Sequence, residues 1–401
     1  MQHHIPQISN NRKPKQPGSL LAYLIIGFVQ RRNRPFMNIS EKKSTFVHME
    51  KQLVILSHDL NQEVESAVKA INPDRLFILM DTTTEQLCRP LLQQCSLLNG
   101  AQAIVIGATD TYKNLETLSY VWTSLGNGGA TRHSMLINLG GGMVTDLGGF
   151  AASTFKRGIA YINLPTTLLA MVDASVGGKT GINFNGLKNE IGVFRQAERV
   201  IIDTTFLQTL DEKNLRSGYA EMLKHGLISH TDSWKGLLNF DLEHPDWALL
   251  QSLVAESIAI KERIVAEDPH EKGIRKALNL GHTAGHALES MALKKNNPVL
   301  HGYAVAWGLV CELYLSCRNM GFPTEKMRQT VNFIKQYYGT YTFDCHAYDA
   351  LYDLMLHDKK NTAGIINFTL LSDIGNIHID QHTDKEGIFS MLDFYRETMG
   401  C

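Results

Sequence analysis

The chain has 401 residues, enough for two domains with sizeable cores. Its 39 lysines and arginines nearly cancel its 40 aspartates and glutamates, so it carries no footprint for nucleic acid or for an acidic membrane surface, and any basic cluster must be local. Six cysteines (Cys88, Cys95, Cys311, Cys317, Cys345, Cys401) form no CxxC pair and no framework spacing, which reads as reduced thiols in a cytoplasmic protein.

Residues 1–48 differ from the rest. A Lys-Pro-Lys-Gln-Pro stretch precedes an apolar run from Leu20 to Val29, and Gln-Arg-Arg-Asn-Arg follows it. The run has the outline of a signal-peptide core, but no clear small-residue cleavage site follows and it is short for a bilayer span. Residues 1–48 therefore read as an extension outside the fold, disordered or upstream of the true start, with Met49 just before the first strand.

From residue 52 short apolar runs recur at 52–57, 75–80, 103–107, 134–139, 160–164 and 199–203. Each is rich in β-branched residues and ends at a turn former, and helical segments lie between most of them. That alternation predicts an α/β domain over 49–203 with a parallel sheet covered on both faces. After Asp203 helical periodicity dominates, over Asp246 to Arg263, Ala304 to Arg318 and Glu325 to Tyr338, which predicts a mainly helical domain over 204–401. The apolar stretch Ile365 to Leu371 reads as a small strand or hairpin.

Within the first domain, Leu139-Gly-Gly-Gly-Met-Val-Thr-Asp146 follows a strand and opens a helix. Glycines there let backbone amides approach a phosphate at a helix N-terminus. The spacing is not GxGxxG, so a plain tight turn fits nearly as well. Pro165-Thr166-Thr167 ends the next strand and supports a cleft at the carboxyl edge of the sheet. Asp81 ends an earlier strand and reads either as a ribose acceptor or as a helix N-cap. The segment 172–183 holds Lys179 among glycines without the GxxxxGK[ST] spacing. Arg157 precedes it and Lys188-Asn189 follow, cations suited to a phosphate and a carboxylate or else unrelated surface charges.

In the second domain His282 and His286 stand four apart, on one helical face. His301 and Glu221 supply further nitrogen and oxygen ligands. Such a set without thiolate suits a catalytic divalent ion. Spacing alone leaves open whether His286 is a ligand or an acid–base group.

Taken together these motifs closely resemble 3-dehydroquinate synthase, a family of sugar phosphate cyclases. The matching pieces are Gly-Gly-Gly-Met-Val-Thr-Asp-Leu-Gly-Gly-Phe, Pro-Thr-Thr-Leu-Leu-Ala-Met-Val-Asp-Ala-Ser-Val-Gly-Gly-Lys-Thr, Leu-Lys-Asn-Glu-Ile-Gly, Gly-Tyr-Ala-Glu-Met-Leu-Lys-His-Gly, Asn-Leu-Gly-His-Thr-Ala-Gly-His, Leu-His-Gly and Asp-Lys-Lys-Asn, in the family's order from about residue 52 onward. The resemblance implies a Rossmann-like NAD-binding domain, a helical metal domain and an active site between them. It implies zinc or cobalt held by Glu221, His282 and His301, with His286 facing the substrate or standing behind the ligands. NAD contacts carry over to Asp81, Asp110, Lys113, Gly141, Gly142, Met143, Asp146, Thr166, Thr167, Thr209 and Leu210, with Lys179 and Lys188 near the cofactor. Substrate contacts carry over to Asp173, Lys179, Lys188, Asn189, Lys224, Lys261, Arg275, Asn279, His286 and the Lys359-Lys360 pair. Arg157 resembles an arginine that reaches a neighbouring subunit's site, which implies a homodimer.

The chain departs from the family at four places. Asp110 stands for a longer glutamate on the ribose, Ala284 for a common phenylalanine, and Asn214 for a glutamate near the nucleotide. Gly186-Leu187-Lys188 replaces the usual Gly-Lys order. The implied substrate is 3-deoxy-D-arabino-heptulosonate 7-phosphate, a sugar-acid phosphate. The implied course is hydride removal to NAD, β-elimination of phosphate, hydride return and aldol ring closure, giving 3-dehydroquinate for aromatic amino acid biosynthesis. The rival readings are another sugar phosphate cyclase, a metal-dependent polyol dehydrogenase of the same fold, and an inactive NAD-binding regulator; the full set of ligands and lysines argues against the last.

Overall fold

Six of the seven strands in the main sheet are the apolar runs of the sequence. The computed structural model describes residues 45–48, 53–185, 187–357 and 365–401. The first half runs β1 (Thr45–His48), β2 (Leu53–Leu56), α1 (Leu60–Ile71), β3 (Leu76–Asp81), α2 (Thr82–Leu87), β4 (Gln102–Ile106), α3 (Leu115–Asn127), β5 (Met135–Gly140), α4 (Gly142–Thr154), β6 (Ala160–Pro165), β7 (Lys179–Phe184), β8 (Leu187–Phe194) and β9 (Arg199–Ile202). The second half holds α5 (Glu212–Leu227), α6 (Thr231–Leu238), α7 (Trp247–Glu267), α8 (His282–Lys294), α9 (His301–Leu315), α10 (Thr324–Tyr338), α11 (Tyr348–Leu356), β10 (Phe368–Asp373), β11 (Asn376–Gln381) and α12 (Lys385–Met399).

The sheet order is β1-β2-β9-β6-β5-β3-β4, parallel from β2 onward, with β1 antiparallel at the edge. β3, β5 and β6 are buried along almost their whole length, as strands covered on both faces must be. The chain leaves β3 for β4 on one side and returns to β5 on the other, so β3 and β5 flank a switch point where ligands bind in open α/β sheets. α4 lies close against the sheet beside this point. A Cβ on Gly148 would meet Asn138 Oδ1 at 2.0 Å, so only glycine allows the approach.

The hydrophobic core continues from the sheet into the helices through Leu215, Tyr219 and Leu223 of α5. α8 and α9 pack at glycine distance: a Cβ on Gly308 would meet Gly281 O at 1.9 Å. That approach sets His282 and His301, the first residues of the two helices, side by side. Among the described residues no helix is long and apolar enough to cross a membrane.

Two boundaries differ from expectation. The sheet reaches back to Thr45, four residues into the predicted extension; the rest of that extension lies outside the described residues. Lys179 does not sit in a glycine-rich loop. Gly177 (φ 106°) and Gly178 (φ 71°) make the turn, and Lys179 opens a β7–β8 hairpin. Residues 187–194 are exposed throughout, so no buried apolar run announces the strand.

Candidate active site

Glu221 is fully buried on α5. Its Oε1 lies 3.4 Å from His282 Nε2 and 3.5 Å from His301 Nε2, and it has no hydrogen-bond partner of good geometry among the described residues. The far side of each ring is fixed. His282 Nδ1 donates to Leu280 O at 3.1 Å and His301 Nδ1 to Glu289 Oε2 at 3.2 Å. Both Nε2 atoms therefore aim at an unpartnered carboxylate oxygen. Ligands held about 2.1 Å from one tetrahedral ion stand roughly 3.4 Å apart, the separation seen here. His286 joins the group, one of its nitrogens lying within 4.8 Å of one nitrogen each of His282 and His301. The donor set thus fits a divalent ion such as zinc or cobalt. Glu312 of α9 locks the start of α8: its carboxylate accepts from the amides of Gly281 (2.6 Å), Thr283 (2.9 Å) and Ala284 (3.2 Å). Ala284 is itself buried.

Burial favours a neutral Glu221, but Lys224 beside it and the two imidazoles hold the carboxyl well below its ordinary range. Burial disfavours charge on His301 as well, yet Glu221 and Glu289 outweigh it and push the imidazole up to about 10. Lys261 donates to both the backbone and the side-chain oxygen of Asp173. That pairing holds Asp173 ionised against its burial, while burial draws Lys261 below the ordinary lysine value. Two buried ammonium groups thus match a buried carboxylate, Glu221, and a half-buried one, Asp173. A divalent ion would leave the floor of the site positive, which suits an anionic ligand.

Above this floor Lys179 pairs with Glu271 at 2.5 Å, and Glu271 accepts from Asn279 Nδ2 at 2.9 Å. Arg275 is buried and donates to Pro269 O at 2.6 Å. Lys188 donates to Glu289 at 2.7 Å.

The other wall is the carboxyl edge of the sheet. Asp81, Gly141-Gly142 and Thr166-Thr167 end β3, open α4 and follow β6 respectively. Asp81 is the N-cap of α2, accepting from the Thr83 and Thr84 amides at 2.9 Å, the plainer of its two readings. Lys113 is buried and donates to Asp146 Oδ2 and Asn189 Oδ1, each at 2.5 Å. Burial raises Asp146 and Lys113 opposes it. Met143 is half-buried in the first turn of α4. Thr209 and Leu210 close the turn after β9, where Thr209 donates to Phe206 O at 2.7 Å. Asp110 is exposed and faces the hairpin, accepting from Asn183 Nδ2 at 3.0 Å. Asn214 pairs with Asp211 in the α5 cap.

The hairpin joins the two walls. Asn189, in the left-handed region at φ 52°, reaches Lys113, while its neighbour Lys188 reaches Glu289 on α8. Arg157 is exposed in the turn after α4. Lys359 and Lys360 lie outside the described residues.

Residues 103–217 match the family model described as 3-dehydroquinate synthase N-terminal, and residues 218–361 match 3-dehydroquinate synthase C-terminal. A 3-dehydroquinate synthase of Parabacteroides distasonis is 54% identical over 352 residues, covering 88% of this chain and 100% of the relative. The chain belongs to the 3-dehydroquinate synthase family. A Leptospira interrogans member is 34% identical over 351 residues, 87% of this chain and 94% of that one. The family's architecture extends to solved structures. A 2-deoxy-scyllo-inosose synthase complexed with carbaglucose-6-phosphate, NAD+ and Co2+ superposes with a TM-score of 0.77 at 21% identity, over 88% of this chain and 99% of the other. A 2-epi-5-epi-valiolone synthase from Streptomyces hygroscopicus, with NAD+ and Zn2+ bound, has the same score at 24% identity, with the same coverage.

The motifs of this 3-dehydroquinate synthase family member give no role to Glu289, Glu271 or His225, although His225 lies within one of them. Glu289 follows His282 by seven residues and so shares its helical face, a spacing that points to it. His225 follows Glu221 by four; its Nδ1 lies 2.7 Å from Ser257 Oγ and burial pushes it down to about 3, so it is a neutral wall of the site. Glu271 lies in an irregular stretch with no periodic signal.

Proposed function

We propose that this enzyme converts 3-deoxy-D-arabino-heptulosonate 7-phosphate to 3-dehydroquinate and phosphate as an NAD- and divalent-metal-dependent lyase. The observation that carries the reading is the convergence of Glu221, His282 and His301 beside a dinucleotide-type sheet edge, with the hairpin spanning the two. The division of labour follows the chain: 49–203 for the nucleotide, 204–401 for metal and substrate.

When bound, NAD supplies a reversible hydride acceptor and zinc or cobalt lowers the pKa of a hydroxyl held against it. Gly141, Gly142, Thr166 and Thr167 receive the dinucleotide at the α4 N-terminus, with Asp81, Asp110, Asp146, Lys113, Met143, Thr209 and Leu210 around it. Glu221, His282 and His301 hold the metal. Lys179, Lys188, Asn189, Arg275, Asn279 and the Lys359-Lys360 pair orient the phosphate and carboxylate, which restricts the substrate to one reactive pose. Lys224 and Lys261 stabilise negative charge that develops on substrate oxygens, and Asp173 aims the Lys261 ammonium. His286 faces the substrate and holds a proton at a ring nitrogen. The departing phosphate can carry its own proton, so the site needs no further strong base.

The exposed β8 strand, with the apolar Leu187, Ile191 and Val193 in water, supports a homodimer in which Arg157 reaches the second site. The substrate is a small molecule; neither a nucleic acid nor a membrane is a partner, and the setting is cytoplasmic.

The test is release of inorganic phosphate from the heptulosonate phosphate with NAD+ and Zn2+ or Co2+, with no net NADH. Accumulating NADH would instead mark a polyol dehydrogenase, and turnover of a sugar phosphate lacking the carboxylate a different cyclase.

A further inference from the structure

We propose that Glu289 is a positioning residue that couples the metal centre to the Lys188 anion position, so that an oxyanion drawn to Lys188 tightens metal binding. The inference rests on the ligand set of the proposed function. It concerns a residue outside that set.

Glu289 divides one carboxylate between two tasks. Oε2 lies 3.2 Å from His301 Nδ1, and Oε1 lies 2.7 Å from Lys188 Nζ. Its side chain is 14% exposed against 54% for Lys188, so the carboxylate is fixed and the lysine is the partner able to move. A carboxylate on the outer nitrogen of a metal-binding imidazole orients the ring and raises its basicity. An ammonium on the same carboxylate draws off part of that charge. When an oxyanion takes up Lys188, Glu289 returns its charge to His301 and Nε2 becomes a better ligand. Linkage then requires the converse, that metal at Nε2 favours the anion at Lys188. The geometry supplies what a merely structural ion pair would lack: the second oxygen of the pair ends on a residue aimed at Glu221.

The test uses the full chain with NAD+ present. Co2+ affinity is measured by competition with a chromophoric chelator, with and without inorganic phosphate, and the cobalt absorption spectrum reports the ligand field. In the unaltered protein phosphate should tighten Co2+ by about 5-fold or more. Glu289→Gln should weaken Co2+ by roughly 10- to 100-fold and remove the phosphate effect, and Glu289→Asp should restore part of both. Lys188→Gln should keep tight Co2+ binding and lose only the phosphate effect. Co2+ affinity unchanged in Glu289→Gln, or a phosphate effect undiminished in either Gln variant, would overturn the coupling. His282→Ala is the separate control: Co2+ retained there overturns the ligand set itself, whereas Co2+ lost there with Glu289→Gln unaffected overturns the coupling alone.

Discussion

Lys188 and Asn189 are neighbours in β8 yet contact opposite walls of the site: Lys188 donates to Glu289 on α8, and Asn189 accepts from Lys113 beside the sheet edge. The left-handed backbone of Asn189 (φ 52°) makes this divergence possible. Asparagine tolerates that region and β-branched residues do not. Asn189→Gly should keep the backbone and lose only the Lys113 contact, weakening NAD+ several-fold with a near-normal melting temperature. Asn189→Val should strain the hairpin by about 1–3 kcal/mol and weaken both NAD+ and phosphate binding. Equal effects in the two variants, read by NAD+ titration and thermal unfolding, would show that the side chain rather than the backbone matters.

Glu221→Gln and His282→Ala should each strip the metal while NAD+ binding partly survives, measured by metal content after gel filtration and by nucleotide titration. Metal retained at full stoichiometry in both would remove them as ligands. The pH dependence has a definite sign. Without metal, His301 between Glu221 and Glu289 keeps its proton up to about pH 10, and an imidazole must lose that proton to bind metal. Metal affinity should therefore rise with pH across the neutral range, by up to tenfold per unit, with one proton released per ion bound. A flat profile with no proton release, followed in weak buffer with an indicator dye, would contradict this.

The buried strands and the helix bearing the candidate metal ligands were legible because each is a local pattern. Met135 to Gly140 is a continuous apolar run, and His282 and His286 share a helical face at a fixed spacing. The apolar stretch beginning at Ile365 resolves into the β10–β11 hairpin. What stayed hidden depends on partners distant in sequence. β7–β8 carries lysine, asparagine and glycine, β7 buries only Thr180, Gly181 and Ile182, and β8 is exposed throughout, so neither an apolar run nor propensity marked them as strands. The same distance hides ion pairs: nothing local ties Glu271 to Lys179, 92 residues away, or Glu289 to Lys188, 101 residues away. Asp81 caps α2 because the first amides of that helix need an acceptor and its carboxylate lies just before them.

The β8 strand offers the prediction on assembly. Ile191 and Val193, two apart in the regular part of β8, share one face at 38% and 37% exposure, an apolar pair that a lone subunit would leave in water. Ile191→Asp should shift a dimer to monomer in sedimentation velocity. Arg157→Ala should leave the dimer intact and lower kcat by about tenfold or more. A monomeric parent protein would overturn the dimer, and an Ile191→Asp variant that still dimerises would place the interface elsewhere.

Glu262 follows Lys261 on α7, but it shares none of that lysine's partners. It is 4% exposed, and neither carboxylate oxygen has a hydrogen-bond partner among the described residues. Burial pushes its pKa up to about 7, from an ordinary value of 4.5. The folded chain thus holds a proton that the unfolded chain has already released between those values. Stability conferred by the neutral carboxyl is complete below pH 4.5, falls as pH rises, and is lost above pH 7. The shift corresponds to about 3 kcal/mol at most. Glu262→Gln keeps the shape and cannot ionise, so it should raise unfolding free energy at pH 8 by about 2 kcal/mol and change it little at pH 4.5. Denaturant titration at both pH values decides the matter: an equal gain at each would mean that packing, not ionisation, sets the cost of this residue.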